Sequence, residues 1–155
     1  MKEILLFIAS SSELKPERME FADLMEDLNA DYLEEQDIKL IPVLWEYLDS
    51  SMGEKRKEDE YLEKLRESEI CFVLFWRILG EYTVEELDVA VAEMLGGGLP
   101  KRVYVLFKEP CNDISKELVD FKKKFSQKYP NVPVLSFQDV NTLRNHIKNI
   151  LINRM

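Results

Sequence analysis

Two consecutive stretches of this 155-residue chain decide its fold: ICFVLFW at residues 70–76 and TVEELDVA at residues 83–90. Seven apolar residues without interruption predict a strand that is buried on both faces, as strands of parallel sheets are. The second stretch has acidic residues in its first turn and apolar residues at helical spacing, which predicts a helix. A buried strand, a short loop and a helix form the repeating unit of an α/β protein.

The same alternation of strand and helix patterns runs along the whole chain. The predicted strands span residues 4–9, 38–45, 69–76, 102–107 and 132–137, and the predicted helices span residues 16–34, 55–68, 83–95, 114–129 and 139–153. This alternation predicts parallel pairing with right-handed crossovers, and therefore one flavodoxin-like, three-layer domain over residues 1–155. Its five-stranded parallel sheet should have strand order 2-1-3-4-5 with helices on both faces, and Pro42 predicts an edge position for the second strand.

The composition excludes some classes of function. A net charge of −9 and a pI near 4.8 argue against nonspecific nucleic-acid binding, in which lysine and arginine neutralise phosphates. The apolar run near the N-terminus is six residues long, too short to span a membrane or to form the core of a signal peptide. Two cysteines and one histidine, without the spacing of metal ligands, predict a cytoplasmic protein with free thiols and no metal site.

The loop after the first predicted strand should form one wall of a site, because ligands of open α/β sheets bind outside the carboxyl ends of the strands. This loop supplies the hydroxyls of Ser10 and Ser11, and the helix start that follows suits a phosphate or pyrophosphate. Arg18 lies in the first turn of that helix and either reaches an anion or pairs with a neighbouring acid. The loop contains no glycine, so it is neither a phosphate loop nor a dinucleotide-binding fingerprint.

Three aromatic residues lie near the carboxyl ends of predicted strands. Trp45 ends the second strand, Trp76 ends the third, and Tyr82 lies in the loop that follows the third. Aromatic faces in such places are good platforms for a nicotinamide or adenine ring. Each residue alone is more commonly part of a core, but the three together favour a ligand site.

Glu86 is the candidate catalytic residue, and two interpretations of it remain open. The pattern Thr83-x-x-Glu86 matches a capping box, in which the threonine caps a helix and the glutamate bonds back to its N–H. Alternatively, Glu86 works on a substrate, because it lies four residues before Ala90 and leans toward the face that packs on the sheet. Glu85 should point further into solvent.

Three segments resemble prokaryotic TIR-like proteins, within the wider group of TIR and nucleoside-deoxyribosyltransferase-like proteins: FIASSSELKPER at 7–18, LWE at 44–46 and GEYTVEELDVA at 80–90. The resemblance implies an NAD+ glycohydrolase that takes NAD+ as its substrate, needs no cofactor or metal, and serves anti-phage defence. It implies that Glu86 is the catalytic carboxylate, with Glu85 as the alternative. It also implies that the aromatic side chains sandwich the nicotinamide ring and that the serine loop contacts ribose or phosphate.

The resemblance leaves other functions and partners to be considered. A nucleoside deoxyribosyltransferase or nucleotide N-glycosidase would use similar chemistry on a different N-glycosidic bond. A non-catalytic TIR-like module would act only by self-association. Since TIR domains commonly act when assembled, the resemblance also implies self-association, with the loop at residues 49–59 as an assembly contact, and a fused or associated sensor domain.

Overall fold

A five-stranded parallel sheet forms the centre of the molecule. The structure, a computed structural model, describes residues 1–33, 35–48 and 51–154. The strands are β1 (Lys2–Ser10), β2 (Ile38–Val43), β3 (Ile70–Phe75), β4 (Arg102–Lys108) and β5 (Val134–Phe137). They lie in the order β2-β1-β3-β4-β5 and every neighbouring pair is parallel, which confirms the predicted flavodoxin-like α/β fold.

Helices connect the strands and cover both faces of the sheet. They are α1 (Lys15–Leu28), α2 (Glu54–Leu65), α3 (Glu81–Leu95), α4 (Lys116–Lys123), α5 (Phe125–Lys128) and α6 (Val140–Arg154). Within residues 1–33, 35–48 and 51–154, no helix combines the length and the hydropathy that a membrane span requires.

Two predicted helices are not continuous α-helices in the structure. The single helix predicted over residues 114–129 is wrong, because the backbone at Lys124 (φ −97°, ψ 1°) leaves the α-helical region and separates α4 from α5. The helix predicted over residues 16–34 ends as an α-helix at Leu28 and continues as a π-helical turn, Asn29–Leu33. Residue 34, and residues 49 and 50 of the predicted assembly loop, lie outside the described residues.

The sheet separates two hydrophobic cores, because successive side chains of a strand point to opposite faces. Leu6 and Phe72 belong to the core beneath α1 and α6. Phe7 and Val73, the next residue along each strand, belong to the core beneath α2, α3 and α4. A residue at a strand end therefore reaches one side of the sheet or the other according to its place in this alternation.

The edge strand β2 is held by a side-chain amide as well as by its neighbour. Among the described strands it pairs only with β1, with Pro42 opposite Leu6, which confirms the predicted edge position. On its other side, the Asn29 side chain donates to the Leu40 carbonyl (3.0 Å) and accepts from the Leu40 N–H (2.7 Å). Asn29 thus satisfies two backbone groups of this edge strand.

We expect Asn29→Ala to lower the free energy of unfolding by about 1–3 kcal/mol, because it leaves both Leu40 backbone groups without their partner. Urea denaturation monitored by circular dichroism would measure the change. Asn145→Ala, at an exposed position of α6, is the matched control and should change stability by less than about 0.5 kcal/mol. Equal effects of the two substitutions would contradict a stabilising role for the Asn29 amide.

Candidate active site

A cleft of about 270 Å³ opens at the carboxyl ends of β1 and β3, between these strands and the starts of α2 and α3. Six of the seven predicted site residues line it: Ser10, Ser11, Arg18, Trp45, Tyr82 and Glu86. The other residues of its lining are Ser12, Glu54, Glu58, Tyr61, Ile78, Gly80, Glu81 and Thr83. The seventh predicted residue, Trp76, does not line this cleft.

Glu86 reaches the cleft from the second turn of α3. This helix begins at Glu81, two residues earlier than predicted, and Gly80 precedes it without a side-chain cap. The capping-box interpretation is therefore wrong, because Thr83 lies inside the helix and not at its N-cap. Glu86 is only 3% exposed, whereas Glu85 is exposed and does not line the cleft.

Glu58 on α2 is a site residue that the sequence interpretation missed. Its carboxyl group is 2% exposed, lines the same cleft and lies within hydrogen-bonding reach of the Glu86 carboxyl. The sequence carried a signal for it, because Glu58 lies three and seven residues before Tyr61 and Leu65, which face inward on α2. Within the described residues, no group of three or more histidine, cysteine, aspartate or glutamate side chains is placed to hold a metal ion.

The two carboxyl groups hold protons at higher pH than isolated glutamates do. Burial, the hydrogen bond with Glu58 and the negative charges of Glu58 and Glu85 raise the pKa of Glu86 well above its ordinary value. Burial raises the pKa of Glu58 to about 7, with the hydrogen bond from Glu86 lowering it and the charges of Glu85 and Asp59 raising it. Both shifts favour the protonated forms of this pair over the ionised forms.

This pair predicts a pH-dependent loss of stability. Folded Glu58 keeps its proton up to about pH 7, whereas an unfolded chain releases it near 4.5, so folding becomes less favourable as pH rises through this window. The full shift of the Glu58 pKa corresponds to about 3 kcal/mol in the free energy of unfolding. Screening by water at the mouth of the cleft reduces this contribution to about 2 kcal/mol. Relative to Glu58→Gln, the wild-type protein should lose about this amount between pH 5 and pH 8.

Urea denaturation of both proteins at the two pH values would measure this difference. Glu63→Gln, which removes an exposed carboxylate from the same helix, should follow the wild-type pH dependence. If Glu58→Gln also followed the wild type, the raised pKa of Glu58 would be contradicted.

Arg18 organises the wall of the cleft opposite Glu86. It is 4% exposed, and its Nε and Nη2 atoms donate to the Glu46 carboxylate at distances of 2.5–3.2 Å. Its Nη1 donates to the Ser10 hydroxyl (2.6 Å) and to the Ser11 carbonyl (2.8 Å). Of the two predicted roles for Arg18, the structure shows pairing with a neighbouring acid.

The ion pair between Arg18 and Glu46 also keeps the Glu46 carboxyl group ionised. Burial alone would raise the pKa of Glu46, but the hydrogen bonds and the positive charge of Arg18 outweigh it and lower that pKa. Glu46 is therefore an anion at neutral pH, and the Arg18 charge is balanced before any ligand binds. It follows that Arg18 holds Ser10 and Ser11 in place and does not offer a free cation to the cleft.

Glu13 ties the serine loop to the loop after β3. Its carboxylate accepts hydrogen bonds from the Ser11 hydroxyl (3.0 Å), the Ile78 N–H (3.1 Å) and the Arg77 Nε (3.0 Å). The two loops that flank the cleft are thereby connected by one side chain.

The aromatic part of the cleft is built on Tyr61. This buried phenol donates to the Ile8 carbonyl, and its ring packs edge-on against Trp45 with a centroid distance of 5.5 Å. Trp45 stacks in turn on Tyr82, with ring centroids 6.4 Å apart and planes at 24°. A third ring between them would need a centroid spacing of about 4.5–7 Å to each of its two neighbours. The 6.4 Å between the two centroids is too short for that. The expectation that the aromatics sandwich a ligand ring is wrong in this structure, and the Lys57 ammonium lies over the Trp45 ring, 4.5 Å from its centroid.

Trp76 lies on the other side of the sheet from Trp45 and Tyr82. It follows Leu74 by two positions in the strand alternation, and both belong to the core beneath α1 and α6. The Arg77 guanidinium and the Lys108 ammonium each lie 4.1 Å from the Trp76 ring. The prediction that all three aromatics gather in one site is therefore wrong for Trp76.

Comparison with family models and with curated proteins finds no match to this chain. Among solved structures, a crystal structure of homoserine dehydrogenase from S. aureus is similar over 89% of this chain, with 12% sequence identity and a TM-score of 0.43. The chain spans 33% of that dehydrogenase chain. The class that the fold and the site define is an α/β protein of flavodoxin-like topology with an acidic, aromatic-lined cleft at its strand ends.

Proposed function

We propose that this protein cleaves an N-glycosidic bond in the cleft and that its substrate is NAD+, split between nicotinamide and ribose. One observation carries the proposal: the buried carboxyl of Glu86 lies in the same cleft as Ser10, Ser11, Trp45 and Tyr82. A carboxyl group, aromatic faces and hydroxyls are the groups that such a reaction uses. The sequence resemblance to TIR-like proteins supports the choice of NAD+.

The chemistry requires one well-placed carboxylate. When the bond between C1′ and the ring nitrogen breaks, its electron pair neutralises the pyridinium and positive charge develops on the ribose. The carboxylate of Glu86 stabilises that charge, as carboxylates do in glycoside hydrolysis. Water then adds to C1′, and its proton passes to a carboxylate of the cleft. Nicotinamide needs no acid to leave, because it departs from a ring that already carries a positive charge.

The size of the cleft suggests how much of the substrate it holds. Its volume of about 270 Å³ is slightly below the range of about 300–1,000 Å³ that is typical of pockets for drug-sized ligands. We propose that it takes the nicotinamide and its ribose, with the remainder of NAD+ lying along the surface. The hydroxyls of Ser10 and Ser11 would contact ribose or phosphate, and Trp45 and Tyr82 would contact the nicotinamide ring.

A nucleoside deoxyribosyltransferase or nucleotide N-glycosidase is the second candidate, and the paired carboxyls favour it. A neutral nucleobase leaves as an anion unless an acid protonates it, and the raised pKa of Glu86 favours the protonated form that would supply this proton. This proton would be useful for a nucleobase and is unnecessary for nicotinamide. The two candidates therefore differ in the protonation state of Glu86 that they require.

The sequence resemblance adds further parts to the proposal. By that resemblance, the protein works in the cytoplasm in anti-phage defence, is activated by self-assembly, and acts with a fused or associated sensor domain. A TIR-like module that only self-associates is the non-catalytic alternative, and it predicts no turnover of any substrate.

A substrate panel distinguishes these functions. Concentrated protein would be incubated separately with NAD+, with 2′-deoxynucleosides and with nucleoside monophosphates, and the products separated by chromatography. We expect free nicotinamide from NAD+ and no free base from the others. Free nucleobase without nicotinamide would replace NAD+ by the second candidate, as would a new deoxynucleoside formed when a different free base is added as the acceptor that a transferase requires. No product under any of these conditions at high protein concentration would contradict both.

A further inference from the structure

Glu58 is a buried carboxyl group for which the reaction described above has no use. It is 2% exposed, and neither of its oxygens has an N–H or hydroxyl donor among the described residues. Buried carboxylates are normally paired with cations or hydrogen-bond donors, because leaving them unpaired is costly. The group that meets this need in the structure is the Glu86 carboxyl on the facing helix α3.

Two buried carboxyls in contact cannot both be ionised without strong repulsion. The charged groups that face the pair include Glu85 from α3 and Asp59 from α2, which add negative charge, and Arg18 from α1. The buried Tyr61 phenol and Cys71 thiol also face Glu86, and burial keeps both of them neutral.

Arg18 does not neutralise the carboxyl pair. Its charge favours ionised Glu86, yet its guanidinium is hydrogen-bonded to the Glu46 carboxylate. The pair therefore needs either a proton or a positive charge brought in by a ligand.

We propose that Glu58 is a positioning residue for Glu86: the two carboxyls share one proton in the free protein, and a positively charged ligand ring that enters the cleft displaces it. This inference rests on the proposed function for the identity of the ring, a pyridinium. The proton leaves to solvent as the cation enters, so the charge of the cleft is conserved. The ionised pair then faces the ribose as positive charge develops there.

The cycle also returns the proton. Bond cleavage makes the departing nicotinamide neutral, and water adds to C1′ and gives one proton to the carboxyl pair. The pair thus regains its shared proton as the product forms. Per turnover, one pyridinium glycoside and one water give nicotinamide, the free sugar hydroxyl and one proton in solution, which balances atoms and charge.

The first test follows the carboxyl groups in the free protein by NMR, with carbon-13-labelled glutamate. Glu58→Gln and Glu86→Gln each remove one resonance and so assign the pair. In the wild type, we expect the two resonances to titrate in linked steps, the first near pH 7. In Glu58→Gln, the remaining Glu86 step should move down by about one pH unit or more, and Glu86→Gln should move the Glu58 step down in the same way.

Glu63→Gln is the control and should leave both resonances unchanged. Titration of both carboxyls near pH 4.5 in the wild type would overturn the shared proton, as would a Glu86 step that Glu58→Gln does not move. The reciprocal variant decides the question if Glu58→Gln fails to fold.

The second test adds 1-methylnicotinamide, a pyridinium cation that is methylated on the ring nitrogen and has no glycosidic bond, and compares it with neutral nicotinamide. The cation should lower the first titration step of the pair and release protons into a weakly buffered solution, whereas nicotinamide should do neither. An unchanged titration step would overturn the exchange of proton for cation.

The pH dependence of turnover separates this inference from the proposed function. For nicotinamide release from NAD+, the acidic limb of kcat/KM should lie about one pH unit lower in Glu58→Gln than in the wild type and in Glu63→Gln. An identical limb in all three proteins would overturn the role of Glu58 in positioning. If the wild type released no nicotinamide at any pH while the linked titration steps were observed, the proposed function would fail and the shared proton would stand.

Discussion

Glu86→Gln should lower the rate of nicotinamide release from NAD+ by about 10²–10³-fold or more, which is the usual effect of removing one group that stabilises transition-state charge. The substitution keeps the size of the side chain and removes its ability to carry a negative charge. It also removes repulsion from Glu58, so the variant should be at least as stable as the wild type at neutral pH. Initial rates measured by chromatography would give the change.

Glu85→Gln is the matched control for this prediction. It removes a carboxyl group from the preceding residue of α3, at an exposed position outside the cleft. Its rate should lie within about twofold of the wild-type rate, since exposed charges interact weakly. Loss of activity in Glu85→Gln, with activity kept in Glu86→Gln, would show that Glu85 and not Glu86 is the catalytic residue.

Arg18→Ala should lower the free energy of unfolding by about 3 kcal/mol, because it leaves Glu46 and the Ser10 hydroxyl without their partner. The pair is largely buried, with side-chain exposures of 5% for Arg18 and 20% for Glu46. Arg18→Lys keeps the charge and loses the bidentate geometry, so its loss should be smaller but measurable. Urea denaturation would measure both variants.

Arg66→Ala serves as the comparison for Arg18. Arg66 pairs with Glu93 on the surface, where both side chains are more than 40% exposed. Its removal should cost less than about 1 kcal/mol. Similar losses in the free energy of unfolding for the two alanine variants would contradict a larger contribution of the buried Arg18 ion pair.

The strand order followed from the sequence because its signal is repeated along the chain. Uninterrupted apolar runs such as residues 70–76 indicate strands buried on both faces, and the helices between them allow only parallel pairing. The helix boundaries were less determined, because their signals are local. Ser115 caps α4 through the Leu118 N–H, yet the break at Lys124 has no comparable signal in the sequence.

A site residue could be predicted when its position along a single helix or strand determines where its side chain lies. It could not be predicted when its role depends on contact between two helices. Glu86 was separated from Glu85 by helical spacing alone, and the structure agrees with that separation. Glu58 was missed because its partner lies on a different helix, and contacts between helices depend on how they pack. The prediction placed Trp76 with the other aromatic residues because all three lie near strand ends. It did not consider which face of the sheet each side chain reaches.

Cleavage of NAD+ by Glu86 is tested most directly by chromatography of NAD+ incubated with concentrated wild-type protein beside Glu86→Gln that is shown to be folded. We expect a nicotinamide peak that grows with time in the wild-type sample and stays at the background level with Glu86→Gln. Equal nicotinamide release in both samples, or none in either, would contradict it.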